Sequence, residues 1–166
     1  GGWGANVRFF EYLSSGAYAG DRSVQVTLSP ETATSGDPIT ITGDAKWVPD
    51  EVMVEAGANY VYTDYYKSNV ESRVVVRFNK LSCSINDGGC VYDQLAVLPP
   101  ANDWTKFQVQ FSVQADVLSL TVFHLIEKEG TLTLDAVSIQ KAVEIVVTDG
   151  VPNNSVEEEM LESAAP

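Results

Sequence analysis

The feature that most constrains the fold is a succession of short segments rich in Val, Thr, Tyr and Phe, separated by turn-forming clusters. The segments with this character are residues 7–12, 23–28, 39–47, 51–55, 59–68, 72–79, 91–98, 104–113, 117–126, 131–140 and 143–148. Many short strands at close intervals are typical of β-sandwiches and barrels. No stretch before Pro152 has a helical periodicity. The sequence therefore predicts an all-β fold, either a sandwich or a barrel.

The hydrophobic pattern distinguishes two kinds of strand. From Phe107 to Val113 every second residue is apolar, which indicates one buried face and one solvated face. Residues 74–76 and 118–126 are apolar on both faces and are expected near the centre of the sandwich.

The C-terminal tail differs from the rest of the chain. Ser155 and Glu158 form a plausible capping box, which predicts a short acidic helix over residues 156–164. We therefore divide the chain into a sandwich, residues 1–141, and a C-terminal strand with an acidic helical tail, residues 142–166.

The formal net charge of −13 disfavours two classes of partner. An acidic surface repels phosphate backbones and anionic lipid, so we expect no nucleic-acid partner. No apolar run reaches the roughly 18 residues that a membrane span needs, so we expect no membrane insertion.

Cys83 and Cys90 flank the segment Ser84-Ile85-Asn86-Asp87-Gly88-Gly89, whose Asn, Asp and Gly residues favour a tight turn. A disulfide across a hairpin tip is our main expectation, with a pair of free thiols as the alternative. A metal site is disfavoured because two thiols cannot complete a tetrahedral site. A disulfide would indicate an oxidising compartment, so the protein is expected to be secreted, extracellular or on the cell surface. Thiol titration of the unfolded, unreduced protein tests this prediction, and two free thiols would contradict it.

Catalytic motifs give little support for an enzyme. The chain has one histidine, no Gly-x-Ser-x-Gly elbow, no His-Glu-x-x-His motif and no phosphate-binding glycine loop. A carboxylate pair for glycoside hydrolysis could always be chosen among 23 acidic residues, so it has no specificity. We expect no enzymatic activity.

Four motifs occur in order along the chain: Gly20-Asp-Arg-Ser23, Tyr60-Val-Tyr62 leading to Lys67-Ser68, Trp104-Thr105, and Asp135-Ala-Val137-Ser138. This series resembles bacterial carbohydrate-binding jelly rolls of the galactose-binding-like superfamily, near the xylan- and glucan-binding groups. The segments at 43–47 and 121–126 are similar to the module that precedes polysaccharide deacetylase domains. The resemblance covers about residues 1–141 and implies a jelly-roll β-sandwich of two antiparallel sheets. It further implies a non-catalytic module that binds polysaccharide or cell-wall glycan. It also implies a structural Ca²⁺ near Asp135 and Asp21, since calcium prefers oxygen ligands.

Sugars bind through CH faces stacked on aromatic rings and through hydrogen bonds to their hydroxyls. The side chains that fit this chemistry, with Tyr60 as a further aromatic, are Lys46, Trp47, Tyr62, Asp64, Tyr66, Arg77 and His124. Tyr60, Tyr62, Asp64 and Tyr66 share one strand face. The alternative for each aromatic is a place in the core, and for His124 a buried position with satisfied hydrogen bonds.

A second function comes from a different class of protein. The related modules open with a strand that this sequence does not show, and an unpaired sheet edge invites association. The segment from Val143 to Thr148 alternates well enough to fill such an edge in a neighbouring copy. The alternative to a carbohydrate-binding module is therefore a structural subunit of a cell-surface filament assembled by strand exchange.

Overall fold

The structure is a computed structural model that describes residues 1–80 and 90–143 of the 166-residue chain. In these ranges the regular elements are the strands β1 (Gly2–Trp3), β2 (Val7–Leu13), β3 (Ser23–Ser29), β4 (Asp44–Lys46), β5 (Val52–Met53), β6 (Asn59–Ser68), β7 (Ser72–Lys80), β8 (Val91–Leu98), β9 (Ala101–Ser112), β10 (Val117–Ile126) and β11 (Gly130–Lys141). The same ranges contain no helix that could cross a membrane.

The strands form two antiparallel sheets. Sheet A has the order β1-β4-β10-β7-β8, and β5 also pairs with β10. Sheet B has the order β2-β3-β11-β6-β9. The prediction of an all-β sandwich of two antiparallel sheets is confirmed.

The alternation of side chains along the strands creates the core between the sheets. On β6 the residues from Tyr60 to Ser68 at even positions are buried, and their odd-numbered neighbours are partly exposed. On β7 the buried residues include Val74, Val76 and Phe78, which face the β6 side chains across the sandwich. Inner faces that pack in this way are the usual source of a sandwich core.

The central strand of sheet A, β10, is buried on both faces. Its even-numbered residues from Leu120 to Ile126 contribute to the core, while Thr121, Phe123 and Leu125 point to the outer face and are nevertheless enclosed. The outer face of β10 is therefore covered by neighbouring side chains, as the apolar run at 118–126 indicated.

The position of β1 is set by the close approach of two backbone segments, one at Gly4 and one at Gly43. Gly4 and Gly43 have φ values of +94° and +80°, which other residues rarely adopt. A Cβ on Gly43 would lie 1.9 Å from the carbonyl oxygen of Trp3, and a Cβ on Gly4 would lie 2.1 Å from that of Thr42. The predicted strand at 39–47 is consequently reduced to β4, and β1 lies beside it.

Several predictions concern residues outside the described ranges. They are the pairing of Cys83 with Cys90, of which only Cys90 is described, the acidic helix at 156–164, and the donated strand, of which only Val143 is described. Each of them stays a prediction, as does the division of the chain at residue 141.

Candidate functional site

Four of the side chains proposed as ligand contacts lie in the core. Tyr62, Asp64, Tyr66 and His124 are at most 2% exposed. Tyr66 donates its hydroxyl hydrogen to the carbonyl oxygen of Pro99 at 3.1 Å. These four residues share a core-facing position, so we do not include them in the binding site.

Three of the buried groups belong to a polar network that links the two sheets. Asp64 Oδ2 on β6 lies 2.6 Å from His124 Nδ1 on β10, and His124 Nε2 lies 2.8 Å from Ser72 Oγ on β7. Tyr62 donates its hydroxyl to Asp64 Oδ2 at 2.7 Å. Burial, followed by the Asp64 charge, raises the pKa of Tyr62 well above its ordinary value, so the phenol remains a donor.

A serine, a histidine and an aspartate in contact are also the groups of a nucleophilic triad. Here Ser72 and Asp64 are 0% exposed and His124 is 1% exposed. A substrate cannot approach groups that are closed to solvent. We therefore assign this network a structural role, which is the alternative that the sequence left open for His124.

Trp47 lies at an edge of the core rather than on an open surface. Its Nε1 donates to the carbonyl oxygen of Gln25 at 3.0 Å. Its ring packs against Phe10 and Tyr12, with centroid distances of 5.4 and 5.1 Å. These contacts give Trp47 a packing role.

Lys46 and Arg77 lie together in a groove on the outer face of sheet A, with a volume of about 670 Å³. We call this the outer groove. It is lined by Gly2, Trp3, Asp44, Lys46, Val48, Val75, Arg77, Tyr92, Phe123, Leu125 and Glu127. Val75, Phe123 and Leu125 form its apolar floor, and two exposed aromatic residues, Trp3 and Tyr92, stand at its opposite sides.

The strand register explains this placement. Trp3 is paired with Asp44 on β4, Lys46 with Leu125 on β10, and Arg77 on β7 with both Thr121 and Tyr92. Paired residues project from the same side of a sheet, so all these side chains reach the outer face. Trp3 and Tyr92 are separated by four inter-strand spacings, which is roughly 19 Å.

Ion pairs hold the polar side chains of the groove in place. Arg77 Nη2 lies 3.0 Å from Glu51 Oε1, and Arg73 Nε lies 3.0 Å from Glu127 Oε2. Lys46 Nζ pairs with Asp44 Oδ1 and also lies 5.4 Å from the centre of the Phe123 ring. Charged groups fixed in this way offer several oriented donors and acceptors above an apolar floor.

The outer groove thus combines the two elements that sugar recognition needs. Trp3 and Tyr92 are 65% and 58% exposed, so their ring faces are open to a ligand. The paired charges provide hydrogen-bond partners for hydroxyl groups. The length of the groove suits a stretch of polymer better than a single small molecule.

The two residues proposed for calcium have different surroundings. Asp135 Oδ2 accepts hydrogen bonds from the backbone N–H groups of Tyr18 and Ala19, at 2.7 and 3.0 Å, and Oδ1 accepts one from Ala136 at 2.6 Å. Asp21 is exposed. In residues 1–80 and 90–143 no three His, Cys, Asp or Glu side chains are grouped so that they could hold a metal. The Asp135 carboxylate is therefore satisfied by backbone amides, and the calcium site stays a prediction.

Comparison with known proteins gives structural neighbours only. No family model and no curated protein matches the sequence. The N-terminal CBM22-1 and GH10 modules of endo-1,4-β-D-xylanase 10B from Clostridium thermocellum, solved with xylohexaose, superpose with a TM-score of 0.58 at 14% identity, over 86% of this chain and 26% of that chain. The CBM22-1 xylan-binding domain of a Paenibacillus barcinonensis protein superposes with a TM-score of 0.53 at 17% identity, over 85% of each chain.

One neighbour is of a different kind. The enzymatically active domain of tailspike protein 4 from bacteriophage CBA120 superposes with a TM-score of 0.61 at 11% identity, over 85% of this chain and 19% of that chain. At such low identities the similarity establishes the fold alone. The chain has the jelly-roll β-sandwich fold of carbohydrate-binding modules, as the sequence motifs predicted. The link to modules that precede deacetylase domains stays a prediction.

Sequence reasoning found two groove residues, Lys46 and Arg77, and missed the aromatic ones. Trp3 lies on a two-residue strand, which leaves no periodic pattern in the sequence. Tyr92 pairs with Arg77, so it could have been found once Arg73 and Arg77 were known to share the outer face. In the sequence, the apolar run around Phe123 indicates that the outer face of β10 is covered.

Proposed function

We propose that the protein is a non-catalytic, extracellular carbohydrate-binding module that holds a linear polysaccharide chain in the outer groove. The observation that carries this proposal is the pair of exposed rings, Trp3 and Tyr92, on opposite sides of an apolar floor. Each ring offers a flat apolar face to a sugar, and the floor excludes water between them. Lys46 and Arg77 donate hydrogen bonds to sugar hydroxyls or ring oxygens along the chain.

The structural neighbours suggest the first ligand to test. One was solved with xylohexaose and another is described as xylan-binding. An uncharged β-linked chain suits the outer groove because its cations are already paired with carboxylates. Xylohexaose and insoluble xylan are therefore the first probes.

Replacing either rim aromatic should weaken binding without unfolding the domain. We expect Trp3→Ala and Tyr92→Ala each to lower the affinity for xylohexaose about tenfold, because a lost stacking contact costs about 1–2 kcal/mol. Isothermal titration calorimetry measures the affinity, and retention on insoluble xylan gives a second readout. Phe9→Ala is a matched control, since Phe9 is 60% exposed but lies on β2 of the other sheet.

The control defines what would contradict the proposal. If Phe9→Ala weakens xylohexaose binding as much as Trp3→Ala does, the outer groove is not the site. If the unmodified protein binds no xylan and no member of a panel of neutral β-linked polysaccharides, the proposed function is wrong.

The filament alternative receives no comparable support. Within the described residues β1 is paired with β4. The donor segment lies almost entirely outside the described residues. None of the observations above favours strand exchange.

A further inference from the structure

The outer face of sheet B, on the opposite side of the sandwich from the outer groove, carries a second set of aromatic residues. Tyr18 stacks on Tyr65 with a centroid distance of 3.5 Å and an interplanar angle of 14°. Trp104 meets Tyr18 edge-on at 6.3 Å, and its Nε1 donates to the carbonyl oxygen of Gly16. We call Tyr18, Tyr65 and Trp104 the aromatic platform.

The loop that carries Tyr18 is fixed to the sheet. The backbone N–H groups of Tyr18 and Ala19 both donate to the Asp135 carboxylate. One face of the Tyr18 ring packs on Tyr65, and the residue remains 46% exposed. An exposed ring that is held by its neighbours loses little conformational freedom when a ligand stacks on it.

Within the described part of the chain most Lys and Arg side chains are paired with carboxylates, but the two lysines beside the platform are not. Six of the ten Lys and Arg side chains form ion pairs with carboxylates of the described residues. Lys67 and Lys106 form no such pair with any described residue, although the chain has a net charge of −13. Lys67 Nζ lies 4.8 Å from the centre of the Trp104 ring, and Lys106 is paired with Tyr65 across the strands. Two unpaired cations therefore flank the aromatic platform.

A shallow polar groove of about 230 Å³ lies beside Lys67. The side chains that line it carry amides and hydroxyls; they include Gln25, Ser68, Asn69, Asn102, Thr131 and Thr133. Several of these residues are held by contacts with one another. Gln25 Nε2 donates to Thr133 Oγ1 at 2.8 Å, the Thr131 backbone N–H donates to Asn69 Oδ1 at 2.7 Å, and Ser68 Oγ donates to the Thr131 carbonyl oxygen at 3.0 Å. This groove adds hydrogen-bonding groups for sugar hydroxyls next to the platform.

We propose that the aromatic platform, Lys67, Lys106 and the adjoining polar groove form a second binding surface for an acidic polysaccharide rich in uronic acids. The sugar ring stacks on the open face of Tyr18, its carboxylate approaches the two lysines, and its hydroxyls bond to the amides. An acidic chain is the preferred occupant because a neutral one would leave both lysines unused. The surface is separate from the outer groove, so two chains can be bound at once.

The test uses the full chain and an oligogalacturonate as the acidic probe. Replacing both lysines, Lys67→Gln with Lys106→Gln, should weaken oligogalacturonate binding at least about fivefold at low salt, as expected for losing two exposed ion pairs. Tyr18→Ala should also weaken it. The matched control is Lys80→Gln with Lys128→Gln, which changes the net charge equally but removes lysines paired with Asp116 and Glu71. Added salt should weaken binding to the unmodified protein.

Measuring the binding of both probes to every variant distinguishes the two sites. The platform variants should keep their affinity for xylohexaose, and Trp3→Ala should keep its affinity for oligogalacturonate. The proposal is overturned if the unmodified protein binds no oligogalacturonate, or if the two double-lysine variants lose the same affinity. It is also overturned if Trp3→Ala abolishes oligogalacturonate binding, because the acidic chain would then occupy the outer groove.

Discussion

His124→Leu is expected to lower the free energy of unfolding by about 3 kcal/mol or more, because it removes a hydrogen-bond partner from the buried polar groups of Asp64 and Ser72. Asp64 Oδ2 accepts hydrogen bonds from the network, whereas Asp64 Oδ1 has no hydrogen-bond partner among the described residues. Without His124 the carboxylate is left with the Tyr62 hydroxyl alone, and Ser72 Oγ loses its contact with His124. Urea unfolding followed by circular dichroism measures the effect.

A double variant separates two causes of destabilisation, the lost packing of the His124 ring and the unpaired Asp64 carboxylate. If the cost of His124→Leu arises from the stranded Asp64 carboxylate, adding Asp64→Leu should recover part of the stability. Tyr62→Phe, which removes one hydrogen bond and keeps the ring, should cost only about 1–2 kcal/mol. A His124→Leu protein within 1 kcal/mol of the unmodified protein would show that the network contributes little. That value is below the roughly 1–3 kcal/mol expected for a single unsatisfied buried group.

Asp135→Ala should cost about 2–3 kcal/mol, because hydrogen bonds to a charged acceptor contribute more than neutral ones. The substitution removes the acceptor of three backbone N–H groups and releases the loop that carries Tyr18. For a domain of this size the loss corresponds to a Tm lowered by roughly 5–10 °C. Differential scanning calorimetry is the direct measurement.

Asp21→Ala is the matched control for this carboxylate, since Asp21 is exposed and should leave the Tm unchanged. The same experiment tests the calcium site that the family resemblance implies. Because amides occupy the Asp135 carboxylate, millimolar Ca²⁺ should not raise the Tm of the unmodified protein. A rise that disappears in both Asp21→Ala and Asp135→Ala would restore the calcium site.

Most of the sandwich could be predicted from the sequence because its long strands carry strong patterns. The segments at 59–68, 91–98 and 117–126 coincide with β6, β8 and β10. Short strands were less predictable, since β1 and β5 have two residues each and depend on pairing with neighbours. Their positions are set by tertiary contacts, such as the approach of Gly4 to Gly43, rather than by local preference.

The binding surface was harder to predict than the fold. Alternation correctly placed Tyr60, Tyr62 and Tyr66 on one face of β6, but it does not say which face is the core. Tyrosine is amphipathic and suits either side of a sheet, so the sequence left both assignments open. The network of Asp64, Ser72 and His124 depends on contacts between sheets, which no single-strand pattern reveals.

The position of β11 determines the order in which the domain can be assembled. This strand, the last one in the described residues, lies at the centre of sheet B between β3 and β6, and it joins the pair β2–β3 to the pair β6–β9. During synthesis these two pairs emerge first and remain separate until Gly130–Lys141 leaves the ribosome. The domain therefore cannot complete its fold progressively from the N-terminus, and pairings so distant in sequence favour slow folding. In a chain interrupted before residue 130, sheet B would consist of two unconnected strand pairs, each with an exposed edge open to aggregation.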